Sequence, residues 1–472
     1  MECFDRLSAY GNRIAAIDDN NQKVTYEQLQ MISKEIGKLI PKRALVFSLC
    51  ENSIGSLLGY VACQINHIVP LLLNCHIDFA QLKMLMQTYR PQYIFLPEHM
   101  KDKFETYPYV WQDYGYCMLQ TEYAAPALLH PELALLLSTS GSTGSPKLVR
   151  QSYKNVFSNA EAIASYLELN EQEKPITTLP MNYTYGLSII NSHLLAGACI
   201  IMTNRSLMEK EFWTVFKEQA ATSFGGVPYT YEILKKLRFQ RMDLPSLKTM
   251  TQAGGKLSLQ LHKEFAEYAL EKGIHFIVMY GQTEATARMS YLPHEKALEK
   301  YGSMGIAIPG GAFSLIDAEG GCINEPDAVG ELVYEGENVT LGYAECPEDL
   351  QKGDERNGVL HTGDMAKRDA EGYYYIVGRK KRFLKIYGNR VNLDEVERML
   401  TAAYPDMEFA CIGVDDHMQI FMTGCGEQQC ESIRDFAAEK TGLNRIAFEV
   451  RKIAEIPKNE AGKKLYSELS DK

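Results

Sequence analysis

Residues 138–149 read STSGSTGSPKLV, with six hydroxyl side chains and two glycines ahead of Pro146 and Lys147. Short hydroxyls, backbone N–H groups freed by glycine and a nearby cation are what a bound phosphate requires. The spacing excludes the common nucleotide loop, in which Gly and four further residues precede Gly-Lys-Ser/Thr. Here Gly141 is followed five positions later by Pro146. Four further stretches carry residues fit for chemistry: 280–284 (YGQTE), 361–364 (HTGD), 378–397 (GRKKRFLKIYGNRVNLDEVE) and 457–464 (PKNEAGKK). Singly, each has a plain reading as a strand terminus, a turn, a charge run or a polar tail.

These stretches need a large scaffold to bring them together. At 472 residues, 46% of them hydrophobic, the chain is expected to form two to four packed units. Short apolar runs alternate with helix-length segments at 44–49, from 54 onward, and at 67–72, 80–89 and 93–96. This is the pattern of β-α-β units and parallel sheet. A second set runs from 133 to about 286, with strands predicted at 133–137, 176–180, 199–202, 223–225, 247–252 and 275–279. From 302 to 376 strands at 313–317, 330–334 and 372–376 are separated by Gly-rich turns, predicting a small all-β subdomain. After Gly378 the chain reads as its own α/β module. Its first helix is signed by Asn392 as N-cap, Glu395 three residues on, and Val391 and Val396 as a hydrophobic staple. The expected fold class is α/β: an N-terminal body (1–378) of two β-α-β subdomains plus the β subdomain, then a mobile smaller α/β lid (379–472).

Composition narrows the function classes. A net charge of -11 argues against a nucleic-acid partner, which needs clustered cations. Eleven cysteines without a C-x-x-C pair or metal-like spacing fit a reduced, cytoplasmic protein. The N-terminus lacks a signal-peptide pattern. The most apolar stretches, 54–73 and 187–202, are interrupted by polar residues and read as buried core, not membrane spans.

Order and spacing of the five stretches resemble the superfamily of adenylate-forming enzymes: acyl-CoA and aryl-CoA synthetases, adenylation domains of nonribosomal peptide synthetases, and luciferases. The resemblance spans nearly the whole chain. It implies that Ser140, Gly141, Ser142, Thr143 and Gly144 wrap the β- and γ-phosphates of ATP, with Lys147 supplying charge. Leu148 stands where the family has a third glycine, which puts the path of the following strand in question. The resemblance further implies that Tyr280 stacks on adenine, Thr283 donates to the α-phosphate, Glu284 holds Mg2+, and Asp364 accepts from the ribose hydroxyls. Arg379 adds a sugar or phosphate contact, and Gly254 and Gly255 let backbone approach the adenine. Lys463 matches the C-terminal catalytic lysine and, with Lys147, offsets the repulsion between ATP and a substrate carboxylate. Lys381 matches the pivot of the lid, while Lys380 and Arg382 read as solvated charges. After rotation, Lys385 and Gly388 face the incoming thiol.

Amino-acid-activating relatives carry an aspartate shortly after the phosphate loop. The matching stretch 179–188 (LPMNYTYGLS) has no acidic residue, which argues against an amino-acid substrate. It resembles the acyl- and aryl-CoA synthetase pattern instead, with Tyr183 beside the acyl pocket and Gly226, in 224–231 (FGGVPYTY), bordering it. The function implied is an AMP-forming acid–thiol ligase acting on a small-molecule carboxylic acid, apolar or aryl, whose chain length nothing in the sequence fixes. The acceptor is CoA or, alternatively, the phosphopantetheine of a carrier protein.

Overall fold

A computed structural model describes residues 4, 7–123, 128–138, 147–387, 389–424, 428–458 and 464–469. The chain divides into two compact units. The first comprises residues 1–313 and 334–360, the second residues 314–333 and 361–472. The expected boundary at 378/379 lies inside the second unit, within the strand Tyr374–Arg379 and one residue before the short 3-10 turn Lys380–Arg382.

The first unit is built on two principal sheets. The larger has eight strands in the spatial order Gly342–Ala344, Leu148–Ser152, Leu133–Ser138, Val69–Asn74, Leu45–Cys50, Tyr93–Pro97, Tyr116–Gln120 and Tyr109–Asp113. The four strands from Leu133–Ser138 to Tyr93–Pro97 are parallel, with antiparallel partners on either side. Parallel strands covered on both faces should be continuously apolar. Leu45–Cys50 is buried at every position. The helix Ile54–Ile65 is apolar on nearly every face and buried from residue 54 through 64, with Ser53 accepting from the Ser56 N–H at its start. The 54–73 run is therefore core helix plus strand. Likewise the helix Thr184–Leu195 is buried throughout. Among the described residues no helix is long and apolar enough to cross a membrane.

The second sheet runs Ser223–Gly226, Thr249–Gln252, His275–Tyr280, Ser290–Tyr291, Ile306–Ala307, the first three parallel and the rest antiparallel. The strand predicted at 176–180 does not form. Only isolated parallel bridges, Pro175 with Ser223 and Ile176 with Ile201, are made. Proline at 175 and 180 removes donors at both ends. Between them Thr177 Oγ1 donates to the Thr203 carbonyl at 3.0 Å and accepts from the Thr203 N–H at 2.8 Å, replacing ladder bonds by side-chain bonds.

The second unit carries a four-stranded sheet, ordered Gly311–Ile316, Val329–Gly336, Val359–Arg368, Tyr374–Arg379, whose first three strands extend past the division between units. The two-stranded ladder Phe383–Ile386 with Asn389–Asn392 follows, then a three-stranded sheet, Phe409–Val414, His417–Met422 and Phe448–Lys452. The helix Leu393–Ala403 packs on this last sheet through Val396 and Leu400. Asn392 caps it, accepting from the Asp394 N–H at 2.9 Å. Val391 and Val396 share the same apolar cluster.

The run 379–382 is not a solvated charge patch throughout. Arg382 is 9% exposed and pairs with Asp394 at 2.8 Å and with the buried Glu397, beneath the ring of Tyr466 at 3.8 Å. Lys380 keeps an exposed stem but pairs with the largely buried Glu331 at 2.6 Å. The expectation fails because the run turns directly out of a strand within the second unit, and both cations meet carboxylates brought there by distant parts of the chain, Glu331 and Glu397.

Candidate active site

The hydroxyl loop is anchored by two antiparallel neighbours of the large sheet. Leu133–Ser138 ends and Leu148–Ser152 begins directly opposite each other, with Ser138 paired to Leu148. Leu148 is fully buried among Leu136, Leu341 and Ala344. The position that departs from the family's glycine therefore starts a well-packed strand. Ser140, Gly141, Ser142, Thr143 and Gly144 lie outside the described residues, as do Gly388, Lys463 and the side chain of Lys381.

Beyond Leu148–Ser152 the edge strand Gly342–Ala344 places Tyr343 opposite Val149. Its position is fixed from within by Arg150, a fully buried side chain whose Nε donates to the Tyr343 carbonyl at 2.9 Å and whose Nη2 donates to the Leu341 carbonyl at 3.2 Å. Arg150 also pairs with Glu355, which supplies the counter-charge that burial demands. On this edge Lys147 reaches Glu345 at 2.6 Å, with its ammonium 5.7 Å from the Tyr343 ring.

The strand His275–Tyr280 delivers the second stretch to the same edge. Gly281 is required there, since a Cβ would stand 1.5 Å from the Ala287 carbonyl oxygen. A single 3-10 turn, Thr283–Ala285, follows. The Glu284 carbonyl accepts from the Thr340 N–H and hydroxyl, both at 3.0 Å, and from Arg356 at 2.9 Å. The Glu284 carboxylate accepts from the Tyr343 hydroxyl at 2.7 Å. Burial and the Glu284 charge push the Tyr343 phenol up to about 12, so it remains a donor at neutral pH. The geometry thus joins two expected residues, Lys147 and Glu284, through a tyrosine that the sequence reading missed. Thr283 is half-buried, with its carbonyl 3.5 Å from Gln151 Nε2, and the half-buried Tyr280 accepts from Gln282 at 3.1 Å.

In the second unit, Asp364 and Arg379 are cross-strand partners. Arg379 Nε lies 2.7 Å from the Asp364 carboxylate, which is 3% exposed while the arginine is 58% exposed. The Thr362 hydroxyl accepts from the Asp364 N–H at 3.1 Å. Lys385 is exposed, and its N–H donates to Asp415 at 2.7 Å. Either side of the expected catalytic lysine, Lys458 and Lys464 bridge antiparallel, and Lys464 is ion-paired with Glu397.

Against known proteins, residues 3–344 match the AMP-binding enzyme family. The chain belongs to the AMP-binding enzyme family. This AMP-binding enzyme is 26% identical to the 2-succinylbenzoate–CoA ligase of Bacillus mycoides (strain KBAB4), over 96% of its own length and 95% of the relative's. It is 30% identical to the long-chain-fatty-acid–CoA ligase of Escherichia coli O157:H7, over 76% of its length and 64% of that protein's. Its fold is that of o-succinylbenzoate CoA synthetase from Bacillus subtilis, solved in complex with an acyl-adenylate intermediate, with a TM-score of 0.80 at 21% identity and coverage of 100% and 98% of the two chains. The relatives are acid–thiol ligases by name, and the enzyme class expected from the sequence stands.

Around Tyr183 and Gly226, expected from the sequence to border an acyl group, the AMP-binding enzyme gathers Leu179, Tyr185, Val227, Ala253 and Ile277 into one cluster, with Tyr166, Tyr183 and Tyr291 packed on it. Gly254 has φ +81, and a Cβ there would meet the Tyr183 hydroxyl at 2.5 Å, so the two expected positions are in contact distance. The buried Gln252 fixes this turn by donating to the Gly255 carbonyl at 2.9 Å. Gly226 ends its strand against Thr230 and Tyr231. Also buried here is Arg288, which the sequence reading passed over. The available signal was a lone cation in an otherwise uncharged run from 285 to 292. Nearby, burial, aided by the charge of Arg288, lowers the imidazole of His193 to about 4 and keeps it neutral.

Proposed function

We propose that this AMP-binding enzyme is an ATP-dependent carboxylate ligase. A substrate carboxylate oxygen attacks the α-phosphorus of ATP with loss of pyrophosphate, and a CoA thiol sulfur then attacks the acyl carbon, releasing AMP and leaving a thioester. The observation that carries this reading is the coupling of Lys147, Tyr343 and Glu284 at the root of the hydroxyl loop. It sets a cation and a carboxylate on one sheet edge about a single tyrosine: Lys147, ion-paired with Glu345, lies 5.7 Å from the ring, and Glu284 accepts from the hydroxyl.

Glu284 suits Mg2+, which prefers one or two carboxylates together with phosphate and water oxygens. Such an ion would in this proposal be held by Glu284 together with nucleotide and water oxygens. When bound, it neutralises phosphate charge as the α-phosphorus is attacked. In this proposal Tyr280 and the Gly254–Gly255 turn receive adenine, Thr283 the α-phosphate, and Ser140 to Gly144 the departing phosphates. Asp364 and Arg379 take the ribose, and Lys463 contributes its charge to the transition state. Lys381 is the pivot of a lid beginning at residue 379, whose Lys385 and Gly388 serve the thiol step, while Tyr183 and Gly226 border the acyl group. The proposed setting is the cytoplasm.

Exchange of labelled pyrophosphate into ATP, measured across aliphatic, aryl, hydroxy and amino acids, tests the first step. Acid-dependent exchange is expected. Thioester formation with CoA, compared with a holo carrier protein, tests the second, and a strong preference for the carrier would overturn the choice of CoA.

A further inference from the structure

Arg288 is 1% exposed. Its Nε donates to the Ser188 hydroxyl at 3.2 Å and its Nη1 to the Tyr166 hydroxyl at 3.1 Å, with Met279 Sδ 3.2 Å from Nη1. The guanidinium carbon lies 5.0 Å from the centre of the Tyr185 ring. Every one of these partners is neutral, and among the described residues the buried Nη2 has none. The other arginines buried among the described residues differ: Arg150 is paired with Glu355, and Arg382 with Asp394 and Glu397. A guanidinium removed from water without an anion is strongly disfavoured, and a buried unsatisfied donor calls for a partner.

The fold also invests in the placement of this side chain. Thr286 and Ala287, immediately before it, have φ of +55 and +108, and the latter is a strained value for a residue with a Cβ. The strain is held by amide clamps on either side. The Arg288 carbonyl accepts from Asn159 at 2.8 Å and from Asn338 at 3.0 Å. Asn338 also donates to the Ala285 carbonyl at 2.8 Å, and its own carbonyl accepts from the Thr286 hydroxyl at 2.8 Å. Backbone strain held by redundant hydrogen bonds clusters at active sites and ligand clamps, and here it sits beside a cation with no anion among the described residues. Tyr166 and Tyr185, which cradle it, belong to the same cluster as Tyr183 and Val227.

We propose that Arg288 is the counter-ion for a second anionic group on the acid substrate, a carboxylate or sulfonate remote from the carboxylate that is activated. What happens to the first carboxylate rests on the ligase reading, whereas recognition of the second anion does not. The preferred acids are then dianions with a short apolar or aryl spacer, and the apolar pocket expected from the sequence ends in a charge.

The test uses three length-matched pairs, glutarate with pentanoate, adipate with hexanoate and terephthalate with 4-methylbenzoate; separately, 3-sulfopropanoate is compared with succinate to distinguish the two anions. Pyrophosphate exchange should give kcat/KM at least tenfold higher for a dianion than for its monocarboxylate partner. Arg288→Met should bring that ratio to one or below, and Arg288→Lys should restore part of it, distinguishing loss of charge from loss of fold. A wild-type ratio of one or below in every pair, or a ratio unmoved by Arg288→Met, overturns the assignment. Calorimetric titration of the same acids keeps the two readings apart. Tighter binding of glutarate than pentanoate without any exchange sustains the anion subsite and sinks the ligase. Brisk exchange with monocarboxylates alone does the reverse, and no selective binding by either method sinks the subsite.

Discussion

Replacing Tyr343 by phenylalanine removes one oxygen and leaves the ring over which Lys147 and Arg356 lie, at 5.7 and 4.7 Å. What is lost is the 2.7 Å hydrogen bond to the Glu284 carboxylate. A hydrogen bond to a charged acceptor contributes about 1.5–3 kcal/mol, and at a half-buried site the lower end applies. Without it the carboxylate is free to turn toward the Arg356 guanidinium, which already donates to the Glu284 carbonyl at 2.9 Å. About 1.5 kcal/mol corresponds to roughly tenfold. The Mg2+ concentration for half-maximal pyrophosphate exchange should therefore rise about tenfold in Tyr343→Phe, with the thermal midpoint of the protein nearly unchanged. The phenol is pushed up to about 12, so the hydroxyl keeps its proton at working pH and the defect should be flat between pH 6 and 9. An unaltered Mg2+ dependence, or a defect that emerges only in alkali, would refute the role given to Tyr343.

Two further outcomes concern stability. His193 and His262 are both buried and lowered to about 4, chiefly by burial, against an unfolded value of 6.5. The unfolded chain therefore binds protons that the folded chain refuses. Stability is full above pH 6.5 and falls as pH drops toward 4, by roughly 3 kcal/mol per histidine. Urea midpoints at pH 8 and pH 4.5 should show this loss, and His193→Gln should reduce it; an equal loss in the variant would contradict it. Arg382→Met removes one of the two cations paired with the buried Glu397 and leaves Lys464, so the cost should fall below the about 3–5 kcal/mol typical of breaking a buried pair outright. Limited proteolysis and hydrogen exchange should show the second unit loosened, and unchanged protection around residues 393–422 would argue against the buried pair.

Much of the scaffold could be read from the chain because apolar runs and turn residues are local signals. The strands near 45, 69, 93, 133, 223 and 275 are of this kind. The Asn392 cap and the Val391–Val396 contact are local too. What could not be read depends on sheet order. Tyr343 meets Glu284 across 59 positions only because Gly342–Ala344 pairs with the strand after the hydroxyl loop, and a three-residue edge strand leaves no periodicity to detect. Arg150, Arg288 and Arg382 were invisible as buried groups for a related reason. Composition shows a cation, but only packing shows which carboxylate, if any, comes with it. The segment at 176–180 failed as a strand because its threonines bond through side chains, a choice that propensity does not distinguish from a ladder.

The central claim is that the chain activates a carboxylate by adenylation. Acid-dependent pyrophosphate exchange, compared between wild type and Lys463→Ala, tests it most directly. Exchange stimulated by at least one class of carboxylic acid, and severely reduced in Lys463→Ala, is the predicted result. Exchange absent for every acid, or running at the wild-type rate without the lysine, would contradict the claim or the assignment of that residue respectively.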